Sequence, residues 1–261
     1  MSITIHSEED FIKMRAAGRL AAEVLDYIIP FVKEEVSCDG LNNLCHDYII
    51  DNGAIPAPLN YKGFPKSICT SINHVVCHGI PDSRKLKNGD ILNIDVTVIL
   101  DGWHGDTSRM FIVGDAVSIK ARKIVQVSYE TMMKGIEAVR PGATLGDVGN
   151  AMDSHAQQHG FSVVREYGGH GIGKIFHDDP FVANHGEPGK GLLLKEGMFF
   201  TVEPMINEGT YKTIVSSVDK WTVTTRDKKL SAQFEHTIGV TKEGCEIFTL
   251  SPTNAHCPPY G

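Results

Sequence analysis

The sequence predicts a mixed α/β domain made of two helix–helix–strand units folded against each other. Three observations predict it. Pairs of amphipathic helical stretches precede β-branched runs in both halves. A long β-hairpin closes the first half. Positions in the two halves also correspond in order: a shift of 107 residues puts Val32 on Val139, Ser37 on Thr144, Leu41 on Val148, Asn43 on Asn150 and Gly53 on Gly160. Further on, Cys77-His78-Gly79-Ile80 recurs as Gly169-His170-Gly171-Ile172, and Gly89…Asp95 recurs as Gly197…Glu203. A period near 100 is too long for a solenoid, so the series reads as a duplicated half-domain. The expected organisation is one catalytic domain over 1–261, with halves at about 1–114 and 115–250 and a Pro-rich tail at 251–261.

The elements follow from local chemistry. Ser7 and Asp10 form a capping-box pattern that opens a helix from about Glu8 to Ile29. Phe11, Met14, Ala17, Ala21, Val24, Leu25 and Ile28 give it one apolar stripe. Pro30 ends or interrupts it. A second helix starts near Ser37 and stops at Asn52-Gly53. A Pro-rich loop (Pro56, Pro58, Pro65) leads to a β-prone run from Ile68 to Cys77. In the second half, 118–139 reads as helical, Thr144 opens the next helix and His159-Gly160 closes it. A last strand is expected from Ser231 to Val240.

The hairpin spans Ile91 to Gly114. Asp101-Gly102 suits the left-handed positions of a two-residue turn. That turn pairs Leu100 with Trp103 and Thr97 with Asp106. Asp95 and Asp106 then become diagonal neighbours on one face, with Cβ atoms roughly 7–8 Å apart or less. Carboxylates this close repel unless a proton or a cation lies between them. No Lys or Arg shares that face of the first strand, which favours a cation. A helix would also bring the two aspartates together, but the β-branched content and Gly102 and Gly105 oppose one. An odd loop length would separate them, and two aspartates near a turn are commonly just solvated.

Composition narrows the class. A net charge of −7 offers no general attraction to nucleic acid. No apolar run reaches the roughly 18 residues of a membrane span. The acidic start MSITIHSEED lacks the pattern of a signal peptide. Cysteines 38, 45, 69, 77, 245 and 257 form no C-x-x-C pair, as expected of a reduced cytoplasmic protein.

Duplication alters the reading of the aspartates. Each half offers a His in a Gly-rich setting (His78, His170) and a strand carboxylate (Asp95, Glu203). Alternation along the last strand puts Glu235 on one face with Gln233 and Thr237. Asp95, Asp106, Glu203 and Glu235 could therefore all face inward from one sheet. Four carboxylates with one or two imidazoles suit a pair of divalent cations of the Mn, Fe, Co or Zn class.

The contexts NIDVT, HGDTS, GGHGIG, FTVEPM and QFEHT, in that order, resemble the type I methionine aminopeptidases, in the compact bacterial form. The likeness runs from KMRAAGRLAAEVL to about Thr249. It implies the pita-bread fold, a curved antiparallel sheet covered by helices in two pseudo-symmetric halves. It implies two metal ions, Co, Mn, Fe or Zn, held by Asp95, Asp106, His170, Glu203 and Glu235, with Asp106 and Glu235 bridging. Glu203 would handle a proton, and His78 and His177 would hold the substrate and the developing oxyanion. Tyr61, Phe64, Cys69, Phe176 and Trp221 match the family's methionine pocket. The implied activity is removal of N-terminal methionine from nascent proteins with a small second residue. The protein would act as a cytoplasmic monomer without membrane or nucleic-acid binding. Five Lys/Arg against three Asp/Glu between Met205 and Leu230 give little charge for transient ribosome contact. His74 and Pro58 depart from the pattern of many or some bacterial members. Asp178, Asp179, His236 and His256 read as structural or solvated. Two rivals are a proline-specific aminopeptidase of the same fold, which normally carries an extra domain, and a binding module that has lost catalysis, which usually lacks the ligands.

Overall fold

Each helix begins where a side chain can satisfy the free amides of a first turn. In this computed structural model, which describes residues 3–260, Ser7 caps α1 (Glu8–Ile28), and Asp10 reaches back to the Ser7 backbone. Ser37 caps α2 (Cys38–Asp51) and Ser118 caps α3 (Ile119–Glu137). Thr144 and Asp147 form a second capping box at α4 (Leu145–Gln158). Such caps are worth about 1 kcal/mol each.

In the first half the strands are β1 (Ile55–Pro56), β2 (Cys69–Ile72), β3 (Val75–Cys77), β4 (Ile91–Leu100) and β5 (Trp103–Ile112). The second half supplies β6 (Ser162–Val163), β7 (Gly168–Gly171), β8 (Asp178–Ala183), β9 (Phe199–Val202) and β10 (Met205–Asn207). It continues with β11 (Thr213–Val215), β12 (Val223–Thr225), β13 (Ser231–Gln233), β14 (Glu235–Val240) and β15 (Cys245–Ile247). Among the described residues, nine strands form one antiparallel sheet in the order β1-β4-β5-β14-β9-β7-β8, with β2 also on β4 and β15 also on β14. Strands from both halves thus meet where β14 lies between β5 and β9.

The β4–β5 register pairs Leu100 with Trp103 and Thr97 with Asp106, and Asp101 and Gly102 both take positive φ. This is the two-residue turn that the Asp-Gly dipeptide predicts. Leu92, Ile94, Val96 and Val98 point to the other face and pack under α1 and α2. A second core, with Ile124, Met152, Phe200 and Ile238, lies under α3 and α4. The helices therefore cover one face of the sheet, and the aspartates occupy the opposite one. The two halves repeat small features too. The caps Ser37 and Thr144 each make an isolated bridge, to Lys85 and Leu193, and Gly89 and Gly197 both take positive φ.

Two expectations need correction. The β-prone run from Ile68 to Cys77 is not one strand but two, β2 and β3, which turn at Asn73, whose φ is +55°, and join different sheets, β2 on β4 and β3 on β12. Ser231 to Val240 is not continuous either. Gln233 pairs with Met205 in a three-stranded sheet, whereas Glu235 joins the main sheet opposite Ser108. The chain changes partners at the buried Phe234, from β10 before it to β5 and β9 after it. Gly261 of the expected tail, and Met1 and Ser2, lie outside the described residues. The rest of the tail is docked: Ser251 and Thr253 donate hydroxyl hydrogen bonds to Asp26 of α1, and the Tyr260 hydroxyl donates to the Met110 carbonyl.

Candidate metal centre

Register alone aligns the first acids. Asp95 lies opposite Ser108, and Ser108 lies opposite Glu235 across the next strand pair. Directly paired residues share a face, and Asp106 shares it two residues from Ser108. Glu203 follows the last residue of β9, one alternation beyond Thr201, which pairs with Thr237. His170 is fixed from the next strand, its amide donating to the Thr201 hydroxyl at 3.0 Å.

Donor atoms of Asp106, His170 and Glu235 lie within 4.8 Å of one another. The His170 Nε2 is also 3.6 Å from the Glu203 carboxylate. Asp106 and Glu235 are buried, and Asp95 and Glu203 open onto a cleft. Thr97 donates to Asp106 Oδ1 at 2.7 Å, and Thr201 donates to Glu203 Oε1 at 2.7 Å. Gln233 Nε2 donates to Glu203 Oε2 at 3.1 Å. These bonds orient the carboxylates, and the kink at Phe234 is what delivers Gln233 to Glu203.

The electrostatics are those of uncompensated charge. Burial raises Asp95 to about 7. Burial, with the nearby Asp95 charge, raises Glu203 to about 8 against the hydrogen bonds from Thr201 and Gln233. Burial and mutual repulsion push Asp106 and Glu235 well above the usual carboxylate range. Burial lowers His170 to about 4, so its imidazole is neutral and its approach to the acids is not an ion pair. Its Nδ1–H donates to the Gly171 carbonyl at 3.0 Å, which leaves the Nε2 lone pair aimed at the acids. No lysine or arginine pairs with the four carboxylates among the described residues. A divalent cation meets every feature: carboxylate oxygens for a hard ion, a neutral imidazole, and repulsion to relieve.

In front of the cluster is a cavity of about 580 Å³. It brings together the five candidate ligands, His78, His177, and Tyr61, Phe64, Cys69, Phe176 and Trp221. The aromatic wall is built edge to face, with Phe64 against Trp221 at 5.2 Å and Tyr61 tilted on Phe176 at 4.8 Å. His78, half-buried and with φ of +55°, is held below its ordinary pKa by desolvation of its ring. His177 stands at the mouth, exposed on one side. Burial of its inner edge and the neighbouring His170 and His78 keep it neutral. Asp178 and Asp179, read as structural or solvated, also line the rim. Sequence reasoning missed Tyr167, Phe181 and Met205 as wall residues, and His104, whose ring stacks on Phe176 at 5.5 Å. The HGDTS context around Asp106 was the available signal for His104. The others come from segments whose approach to the cavity is purely tertiary.

A sheet face that gathers buried acids and a neutral imidazole under an apolar cleft defines a metal-dependent hydrolase. The model of metallopeptidase family M24 matches residues 12–242. The chain belongs to this family and, within it, to the methionine aminopeptidases. It is 69% identical to the methionine aminopeptidase of Rickettsia prowazekii over 260 residues, covering 100% of each chain. The crystal structure of a Rickettsia prowazekii methionine aminopeptidase superposes with a TM-score of 0.94 at 70% identity, over 95% of this chain and 100% of that one. A Xaa-Pro dipeptidase from Bacillus anthracis shares the fold alone, at 21% identity and a TM-score of 0.75, over 95% of this chain and 62% of its own.

Proposed function

We propose that this chain removes the N-terminal methionine from peptides and nascent proteins with a small second residue, using two divalent ions held by Asp95, Asp106, His170, Glu203 and Glu235. The observation that carries the reading is the convergence of Asp106, His170 and Glu235 donors at the floor of an aromatic-walled cavity. Such ions supply Lewis-acid polarisation of a carbonyl and lower the pKa of a water. Everything else is done by side chains. Tyr61, Phe64, Cys69, Phe176 and Trp221 form an apolar slot suited to a long, unbranched, polarizable side chain. His78 and His177 narrow the space beyond it, which disfavours a bulky second residue. The Tyr61 hydroxyl lies 3.1 Å from His177 Nδ1. Donation from the phenol leaves the proton on His177 Nε2, where it donates to the scissile carbonyl oxygen as negative charge develops. Glu203, deprotonated when it holds an ion, accepts a proton from the attacking water and returns it to the leaving amine.

We infer a single catalytic domain, a cytoplasmic setting and a monomer; the small basic excess of the 205–230 region gives transient ribosome contact only weak support. Six free cysteines support the reduced compartment, and among the described residues no helix is long and apolar enough to cross a membrane. A peptide series tests the function. Met-Ala should be cleaved far faster than Leu-Ala, Met-Phe or Ala-Pro by metal-loaded protein. Equal cleavage of Leu-Ala and Met-Ala would remove the methionine slot, and preference for Ala-Pro would favour the proline-specific rival.

A further inference from the structure

A second group of ligating side chains lies outside the cleft, on the helical layer. Donor atoms of Glu130 on α3, and of His155 and His159 at the end of α4, all lie within 4.8 Å of one another. We propose that these three side chains form a peripheral site for one divalent transition ion of the Zn, Ni, Co or Cu class, which clips α3 to α4.

The placement follows from helix geometry. Residues four apart share a helix face, so His155 and His159 present their rings side by side. Their centroids are 4.7 Å apart. Glu130 comes from the neighbouring helix, its Oε2 3.2 Å from His155 Nε2. Its other oxygen, Oε1, accepts from Gln126 Nε2 at 2.8 Å, a bond that orients a carboxylate as the outer partners of metal ligands do. All three residues are partly buried, so a ligand atom need not be drawn from open solvent. Zinc–ligand bonds of about 2.0–2.2 Å place tetrahedral donors about 3.3–3.6 Å apart, a spacing that the Glu130–His155 pair at 3.2 Å already meets and that His159 reaches by a small rotamer change.

An ion pair between Glu130 and His155 does not account for the arrangement. It leaves the His159 ring with no hydrogen-bond partner of its own among the described residues. A cation here would also lie at the C-terminal end of α4, where unsatisfied carbonyls carry partial negative charge. Lys123 already exploits that charge by donating to the His159 carbonyl at 3.2 Å. Two imidazoles and one carboxylate favour borderline transition ions over Mg or Ca. The carboxylate-rich centre of the cleft prefers a harder set, so the two sites differ in selectivity.

The test is zinc content and affinity, by equilibrium dialysis of the full chain against zinc chloride. Wild-type protein should hold one more equivalent than His155→Ala/His159→Ala. Glu130→Gln, which keeps the shape of the side chain but removes a charged ligand, should weaken that equivalent by at least the roughly 10–100-fold that loss of an outer partner costs. Aminopeptidase activity should be unchanged in all of these variants. Imidazole NMR signals of His155 and His159 should shift during zinc titration at the concentrations that fill the extra equivalent. Equal zinc content in wild type and the double variant, with those signals unmoved, would overturn the site. The second readout stands even if a variant folds poorly, and it does not depend on what the enzyme cleaves.

Discussion

Stripping the metal should make stability fall with pH in a window set by the buried acids. Asp95 lies near 7 and Glu203 near 8 in the folded protein without ions, against 3.8 and 4.5 as ordinary values. Their folded pKa values are raised, so the folded state binds more protons than the unfolded chain between those limits. Stability therefore declines as pH rises through the window and is greatest on its acid side. Histidines complicate the acid side. Burial lowers His170 and His236, which makes stability rise with pH up to about 6.5. The clean window is pH 6.5 to 8. Across it, each carboxyl that stays protonated to pH 8 contributes a loss of about 2 kcal/mol, at 1.36 kcal/mol per pH unit. Asp95 and Glu203 open onto the cleft, so water reduces their share. The assay is urea unfolding with a chelator, compared with saturating Mn at the same pH. The chelated protein should lose about 2–4 kcal/mol from pH 6.5 to 8, and the loaded protein should lose little. Ion binding at pH 7 should also release protons, measurable by calorimetry in two buffers. A chelated protein equally stable at both pH values would refute the claim that these acids lack a compensating charge.

Three further outcomes are expected. His177→Ala should lose on the order of 10²–10³ in kcat while keeping its metal, because in the proposed reaction the side chain donates to substrate rather than to an ion; metal loss matching that of His170→Ala would make it a ligand. Arg109→Met should destabilise by about 2–4 kcal/mol, since it leaves the half-buried Asp26 charged against Ser251 and Thr253 without its guanidinium; the double variant with Asp26→Leu should recover much of the loss in a urea melt. Gly105→Ala should destabilise by about 1–3 kcal/mol or more, because its Cβ would clash with the Ala17 carbonyl of α1; an unchanged thermal midpoint would mean that the helix can move aside freely.

Much of the site was legible because its first pieces are local. The Asp101-Gly102 turn sets the hairpin register, and period-two alternation then places Asp95 and Asp106 on one face. Ser7, Ser37, Ser118 and Thr144 announce helix starts because a first turn needs acceptors wherever it occurs. The ordered contexts around His170, Glu203 and Glu235 added the remaining candidates through their resemblance to a family.

Tertiary structure decided which faces meet. Alternation says that Glu235 shares a face with Gln233, but not that the strand breaks at Phe234 and sends them to different sheets. That break puts Glu235 beside Asp106 and Gln233 on Glu203. The docking of the tail on Asp26, the pairing of β3 with β12, and the meeting of Glu130 with His155 are of the same kind. Each joins residues distant in sequence whose local patterns are compatible with several partners. Periodicity and caps are properties of a segment, whereas the choice of partner depends on the apolar area and hydrogen bonds that whole surfaces bury together.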